Sequence, residues 1–348
     1  MQKQHKPRVG TRLAQIAGCF ALLVIVLGAY TRLVDAGLGC PDWPGCYGHL
    51  MWPDEHHEIV RAEQLYPHAP VKTDKTWPEM VHRYLAGILG LMIICLAWLG
   101  WKNREDSQYP FRLPFYLLFF VVWQALFGMW TVTLKLWPQV VTIHLLGGVT
   151  TYSLLWILAL RLNNYSWELG SVNREAIRKT LRWAIPAIVI VTVQILLGGW
   201  TSSNYAAFAC PDFPQCHSSW WPAHMDFREG FNIFQSIGPN YLGGQMENDA
   251  RVAIHFTHRL GALITAIYLV LFATSLIKHP LSRLKPYGWT IVGLLLLQLT
   301  LGVSNILFMV PLPVAVAHNA VAALLLMSLV VTGTRLWMAL PRLEKDDD

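Results

Sequence analysis

The sequence predicts an all-α integral membrane protein of eight transmembrane helices, arranged as two tandem four-helix bundles related by a parallel internal repeat. Three observations predict it. Charged residues make up only 14% of the chain against 54% hydrophobic, whereas soluble domains carry about 25% charge. Apolar runs of about 20 residues, long enough to cross a bilayer, recur along the whole length. The cysteine, histidine and glutamine landmarks of the first half also return in the second at nearly constant offset.

The apolar runs fall near 13–34, 80–101, 113–134, 139–161, 181–203, 252–277, 286–309 and 313–337. Basic residues precede the first run, as in a signal peptide. Its apolar stretch is too long and no small-residue cleavage site follows, so a retained helix is expected. Charge sets the orientation. With both termini on one side, the segments around Lys3–Arg12, Lys102–Arg112, Arg161–Arg182, Lys278–Lys285 and Arg335–Lys345 hold two thirds of the 27 lysines and arginines. The positive-inside rule places those segments and both termini in the cytoplasm. The net charge of +6 thus reflects topology, and no nucleic-acid partner is expected.

The repeat is read from several pairs of motifs. Cys40-Pro41-Asp42-Trp43-Pro44-Gly45-Cys46 returns as Cys210-Pro211-Asp212-Phe213-Pro214-Gln215-Cys216, and Leu27-Gly28-Ala29-Tyr30-Thr31 as Leu197-Gly198-Gly199-Trp200-Thr201. His82-Arg83 is echoed by His258-Arg259, and Gln124 with His144 by Gln298 with His318. The offsets are 170, 176 and 174, differences that loops absorb. Four helices per copy bring each copy in and out on the same side, so the repeat is parallel, unlike the inverted repeats of many transporters. A boundary in the basic loop 162–180 divides the chain into units 1–165 and 166–348. Short connections at 135–138 and 310–313 make the flanking helices antiparallel neighbours. The connections at about 35–78 and 204–251 are long enough to be functional or mobile, and the first is expected to form partly helical cover over the membrane surface.

Candidate chemistry centres on Glu79 and His82, which share a helix face at i and i+3. An ionisable pair in a membrane helix is costly unless something there needs it. Four histidines, His82, His144, His258 and His318, fall near the outer ends of even-numbered helices, two in each half. One such histidine alone reads as a polar group satisfied by a neighbouring backbone. Four at matching positions read better as axial ligands clamping two haems between helices, because zinc or copper usually takes three or four ligands at one site. Arg83 and Arg259 either meet haem propionates or anchor their helix ends by snorkelling. Glu79 is either a proton acceptor and water-orienting group or an acid favoured by the helix dipole. The second half has His255 in its place, which equips one half for chemistry and the other for holding a cofactor or passing electrons.

Cys19 and Cys95 lie inside apolar runs and read as small apolar residues. Cys40, Cys46, Cys210 and Cys216 fall in outer loops, where an oxidising compartment permits disulfides. A bridge across each Cys-x5-Cys loop would contribute roughly 2 kcal/mol. A structural staple is the simpler reading, and a redox role for Cys40 and Cys46 the sharper one. Trp43 and Phe213 read as interfacial anchors.

Thr31-Arg32-Leu33 leading to Gly37-Leu38 and the Cys-Pro-Asp-Trp-Pro-Gly-Cys loop, then Glu79 to His82-Arg83 and two further histidine sites in a duplicated unit, resembles the haem A synthase family over nearly the whole chain. The resemblance implies an eight-helix oxidoreductase of the inner membrane, with its cysteine loops on the periplasmic side. It would oxidise the C8 methyl group of haem O to a formyl group through hydroxylated intermediates, with water-derived oxygen, giving haem A for terminal oxidase assembly. By position, His82 and His144 would bind substrate haem, and His258 and His318 would ligate the iron of a haem b cofactor. Glu79 would be the catalytic acid. Cys40 and Cys46 match a pair linked to activity, and Cys210 and Cys216 a pair present in part of the family. Haem O synthase, cytochrome c oxidase assembly factors, membrane lipid and a second copy of the chain are the implied partners. Two other functions fit the residues: a di-haem b electron-transfer protein, and a haem chaperone or transporter that needs no Glu79.

Overall fold

The structure, a computed structural model, describes residues 6–164 and 174–343. Every long element is helical: α1 (Thr11–Leu33), α2 (His56–Leu65), α3 (Thr73–Lys102), α4 (Arg112–Thr133), α5 (Pro138–Asn163), α6 (Arg174–Ser203), α7 (Phe227–Gly230), α8 (Asn248–Ile277), α9 (Lys285–Leu307) and α10 (Leu312–Leu343). All but α2 and α7 are long and apolar enough to cross a membrane. The chain is an integral multi-pass membrane protein.

Helix ends differ from the apolar runs in one consistent way. α3 begins at Thr73 rather than near 80, α6 at Arg174 rather than near 181, and α8 at Asn248 rather than near 252. Apolarity marks the part of a helix that lies in lipid. The backbone hydrogen bonds continue into water, so Arg174, Arg178, Lys179 and Arg182 ride on α6 instead of lying in a loop. Pro78 sits inside α3 in its second turn, where it removes the hydrogen bond that an N–H there would give the Asp74 carbonyl. The expected boundary at 165/166 lies outside the described residues.

Packing follows two closed squares. α1 touches α3 and α5, and α4 touches the same two helices; α6 touches α8 and α10, and α9 touches the same two. Thus α3 stands diagonally from α5, and α8 from α10. The squares meet where α1 packs on α10, α5 on α6 and α5 on α10. Small residues permit these approaches. Ala14, Ala17 and Ala21 form a buried stripe on α1 at helical spacing, and a Cβ on Gly199 would meet the Leu145 side chain at 2.8 Å. Large apolar side chains such as Leu91, Phe119, Val189 and Ile267 point outward, as a lipid-facing surface requires.

Both short connections reverse direction in the same way. Lys135 and Leu136 have φ of 50° and 60°, and Met309 and Val310 have 55° and 56°. The Leu136 N–H reaches the Thr131 carbonyl and the Val310 N–H the Asn305 carbonyl, closing each helix with a left-handed cap. The short helix α2 supplies the partly helical cover expected of the first long connection. Its Ala62 packs with Cys40, Cys46, Tyr47 and Met80 in a separate apolar cluster.

Candidate functional site

Each cysteine loop is a compact unit built around its aspartate. The bridges Cys40–Cys46 and Cys210–Cys216 are both formed. Asp42 accepts the Tyr47 and Gly48 N–H groups at 2.6 and 2.8 Å. Asp212 accepts those of His217 and Ser218 at 2.8 and 2.7 Å. Partial burial alone would raise the Asp212 carboxyl, but the donated N–H groups and Arg259 hold it below the ordinary carboxylate range. Gly39 is required because a Cβ there would lie 2.4 Å from the Lys75 carbonyl oxygen on α3.

Arginine and position 79 fasten these loops to the helices. Arg83 donates to the carbonyls of Asp42, Pro44 and Gly45, and Arg259 to those of Asp212, Pro214 and Gln215. Sequence reasoning weighed propionate contact and snorkelling for these arginines and missed this third role. Their recurrence directly after the first histidine of each half, downstream of each cysteine motif, was the available signal. Glu79 is buried, paired with Arg83 one turn on, and its Oε2 accepts the Cys40 N–H at 2.9 Å. A buried carboxylate requires such partners. In the second half His255 takes the equivalent bond, its Nδ1 accepting the Cys210 N–H at 3.2 Å. Glu79 and His255 are therefore both loop latches, and only Glu79 brings a carboxylate.

The four histidines stand on the diagonals of the two squares. His82 on α3 and His144 on α5 belong to one square, and His258 on α8 and His318 on α10 to the other, each pair carried by the two helices that stand across it from one another. His82 lies nine residues into its helix and His144 six, about 14 and 9 Å from the respective helix starts at 1.5 Å per residue. α3 begins higher, level with the loop, where Lys75 donates to the Val34 carbonyl.

Each ring packs against a glycine of a neighbouring helix. A Cβ on Gly28, Gly128, Gly198 or Gly302 would come within 2.8, 3.3, 3.1 or 3.2 Å of the Cε1 of His82, His144, His258 or His318 respectively. Among the described residues, Nδ1 of His82, His144 and His318 is buried with no hydrogen-bond partner. Buried polar atoms are normally satisfied. Paired imidazoles with unsatisfied nitrogens, set in apolar four-helix squares and seated on glycines, fit a planar tetrapyrrole ligated from both faces. Among the described residues no three His, Cys, Asp or Glu side chains gather as a metal site of their own.

Fold and site together define a multi-pass helical membrane protein with two diagonal histidine pairs, each beneath a disulfide-closed loop. Residues 11–330 match the model of a family described as cytochrome oxidase assembly protein, COX15-CtaA. A protein of Shewanella oneidensis named "Heme A synthase" is 43% identical over 94% of this chain and 96% of its own length. Proteins of the same name from Rhizorhabdus wittichii and Halalkalibacterium halodurans are 28% and 25% identical, over 89% and 88% of this chain and 89% and 90% of their own lengths. The chain belongs to the COX15-CtaA family of cytochrome oxidase assembly proteins.

Proposed function

We propose that the protein is a haem A synthase, an oxidoreductase that converts the C8 methyl group of haem O to a formyl group with oxygen taken from water. The observation that carries this reading is the pair of glycine-backed histidines on each diagonal, with a carboxylate one turn away in only one of them. The family and the names of its relatives support it.

In this reading unit 1–165 is catalytic and unit 166–348 holds the cofactor, the two arising by tandem duplication with parallel orientation. The matching neighbour relations and matching left-handed caps support that division. His82 and His144 bind and orient the substrate ring. Glu79, held in place by Arg83 and the Cys40 N–H, accepts a proton from the reacting methyl or directs the attacking water. The disulfide loop above it keeps bulk water away. His258 and His318 would hold a haem b, which when bound would supply one-electron chemistry for passing the electrons removed from the methyl carbon to a separate acceptor. Arg83 and Arg259 border the loops where propionates would lie, and a propionate there would share donors with the loop carbonyls.

Both termini are then cytoplasmic and the cysteine loops periplasmic, in the inner membrane. Haem O synthase, an assembling oxidase or a second copy of the chain would meet the protein there. Expression in a host that makes haem O but not haem A, followed by chromatography of extracted pigments, tests the activity. Haem A must appear, and its absence from well-folded, membrane-inserted protein overturns the proposal. One observation favours a second reading, a di-haem electron carrier: Glu79 does the same latching work as His255. That reading predicts haem in both units and no haem A.

A further inference from the structure

Three of the four histidines are met by a glutamine. The Gln124 amide donates to the His144 carbonyl at 2.9 Å. The Gln298 amide lies 3.2 Å from His318 Nε2. Gln194 on α6 reaches both the carbonyl of His258, at 2.9 Å, and its ring Nδ1, at 3.0 Å. His82 is the exception. Among the described residues the ring Nδ1 of His82 is buried without a hydrogen-bond partner, as is that of His144, whose glutamine reaches only its backbone; His82 has no glutamine at all.

The exception is built into the duplication. With the offset of the cysteine motifs, Gln194 corresponds to Val24; with the offset of the histidine motif, Gly261 corresponds to Leu85. These two positions touch in the second half. A Cβ on Gly261 would lie 2.3 Å from Gln194 Oε1, so the glycine is the notch that admits the amide. The first half replaces this amide and notch with two apolar side chains. An axial histidine holds its orientation by donating its second ring N–H to an acceptor. As placed, Gln194 Nε2 makes both contacts; the ring N–H is accepted when the amide turns its Oε1, buried here without a partner, towards Nδ1 while Nε2 stays on the His258 carbonyl.

We propose that Gln194, admitted by Gly261, is a positioning residue that locks the His258 ring, and that Val24 and Leu85 leave His82 unlocked so that the first pocket exchanges its haem while the second retains one. This rests on the assignment of the histidine pairs as haem ligands. It assigns residence time, not only ligation, to the difference between the two halves. A substrate pocket has to release its product, and an untethered ligand gives it a weak side.

The test uses purified full-length protein, with apomyoglobin as haem acceptor. Gln194→Leu is expected to speed loss of the retained haem b by about tenfold or more, in the range seen when partners of metal-ligating histidines are removed. It should also shift the low-spin electron paramagnetic resonance signal. Gln194→Glu, which keeps an acceptor, is expected to restore retention while lowering the midpoint potential through its added charge. The reverse exchange, Val24→Gln with Leu85→Gly, should slow release from the first pocket. Wild-type release rate, resonance signal and potential in Gln194→Leu would overturn the proposal, as would unchanged first-pocket release in the double variant if Gln194→Leu fails to fold. The haem assignment fails separately, if His258→Ala keeps the wild-type low-spin spectrum.

Discussion

Glu79 has two tasks at one position, a latch for the Cys40 N–H and a carboxylate one turn from His82. Substitution separates them. Glu79→Gln keeps a side-chain oxygen for the Cys40 N–H and leaves Arg83 its three loop carbonyls. Conversion of haem O is therefore expected to fall by a factor on the order of 100 or more, the contribution of a positioned acid or base, with haem content unchanged. Pigment analysis of the purified variant measures both, and wild-type production of haem A would remove Glu79 from the chemistry. The glycines give a second prediction at this scale. Gly28→Val should displace the His82 ring, since even a Cβ would stand 2.8 Å from it. The expected outcome is weaker haem O binding with the spectrum of the His258/His318 haem intact. Equal losses from both pockets in a haem titration would contradict it.

At the scale of the element, each cysteine loop is a small folded unit whose aspartate does the internal bonding. Asp42→Asn replaces a two-oxygen acceptor with one oxygen and one donor, so one of the Tyr47 and Gly48 N–H bonds is lost, at about 1–3 kcal/mol. The expected result is faster reduction of the Cys40–Cys46 bridge by dithiothreitol, with the Cys210–Cys216 bridge unaffected. The same loop has a pH signature. Burial, reinforced by the nearby Glu79, Asp42 and Glu63 carboxylates, pushes the Tyr47 phenol up to about 12. A folded value above the ordinary 10 means the neutral phenol stabilises the loop. That stabilisation is complete below pH 10 and is lost as pH rises through about 12. Bridge reduction in wild type, corrected for the alkaline reactivity of the reductant, should accelerate across that window. In Tyr47→Phe it should not.

At the scale of the whole molecule, polar contacts at the cysteine-loop end add to the helix packing that joins the two halves. Arg32 donates to the Tyr205 hydroxyl at 2.9 Å and to the Ser202 carbonyl at 2.6 Å, and lies over the Tyr205 ring. The Tyr205 hydroxyl in turn donates to Asp35 at 2.6 Å. The long second connection also reaches back over the first half, where the Trp137 indole and Gln139 donate to the Gln235 and Ile233 carbonyls. Arg32→Leu removes the centre of this junction, and a loss of about 2 kcal/mol is expected from its hydrogen bonds and ring contact. A lower thermal midpoint in detergent, with both haems still bound before unfolding, is the result that places Arg32 in assembly rather than in a pocket. An unchanged midpoint would show the junction to be dispensable.

Much of this was legible in the chain itself. Eight apolar runs determined helix number, because crossing a bilayer imposes a length of apolar chain; the duplicated cysteine motif and the four histidines at matching offsets set the expectation of two units and singled out the candidate ligands. Spacing cannot say which helices are neighbours or where a long side chain ends. Only the tertiary structure set α3 diagonally from α5 and α8 from α10. It also turned Arg83 and Arg259 onto loop carbonyls, made Glu79 and His255 equivalent latches, and placed Gln194 in the notch at Gly261. The side-chain contacts among these join residues 38 to 67 positions apart, brought together by packing helices into squares. The composition of any one segment carries no trace of it.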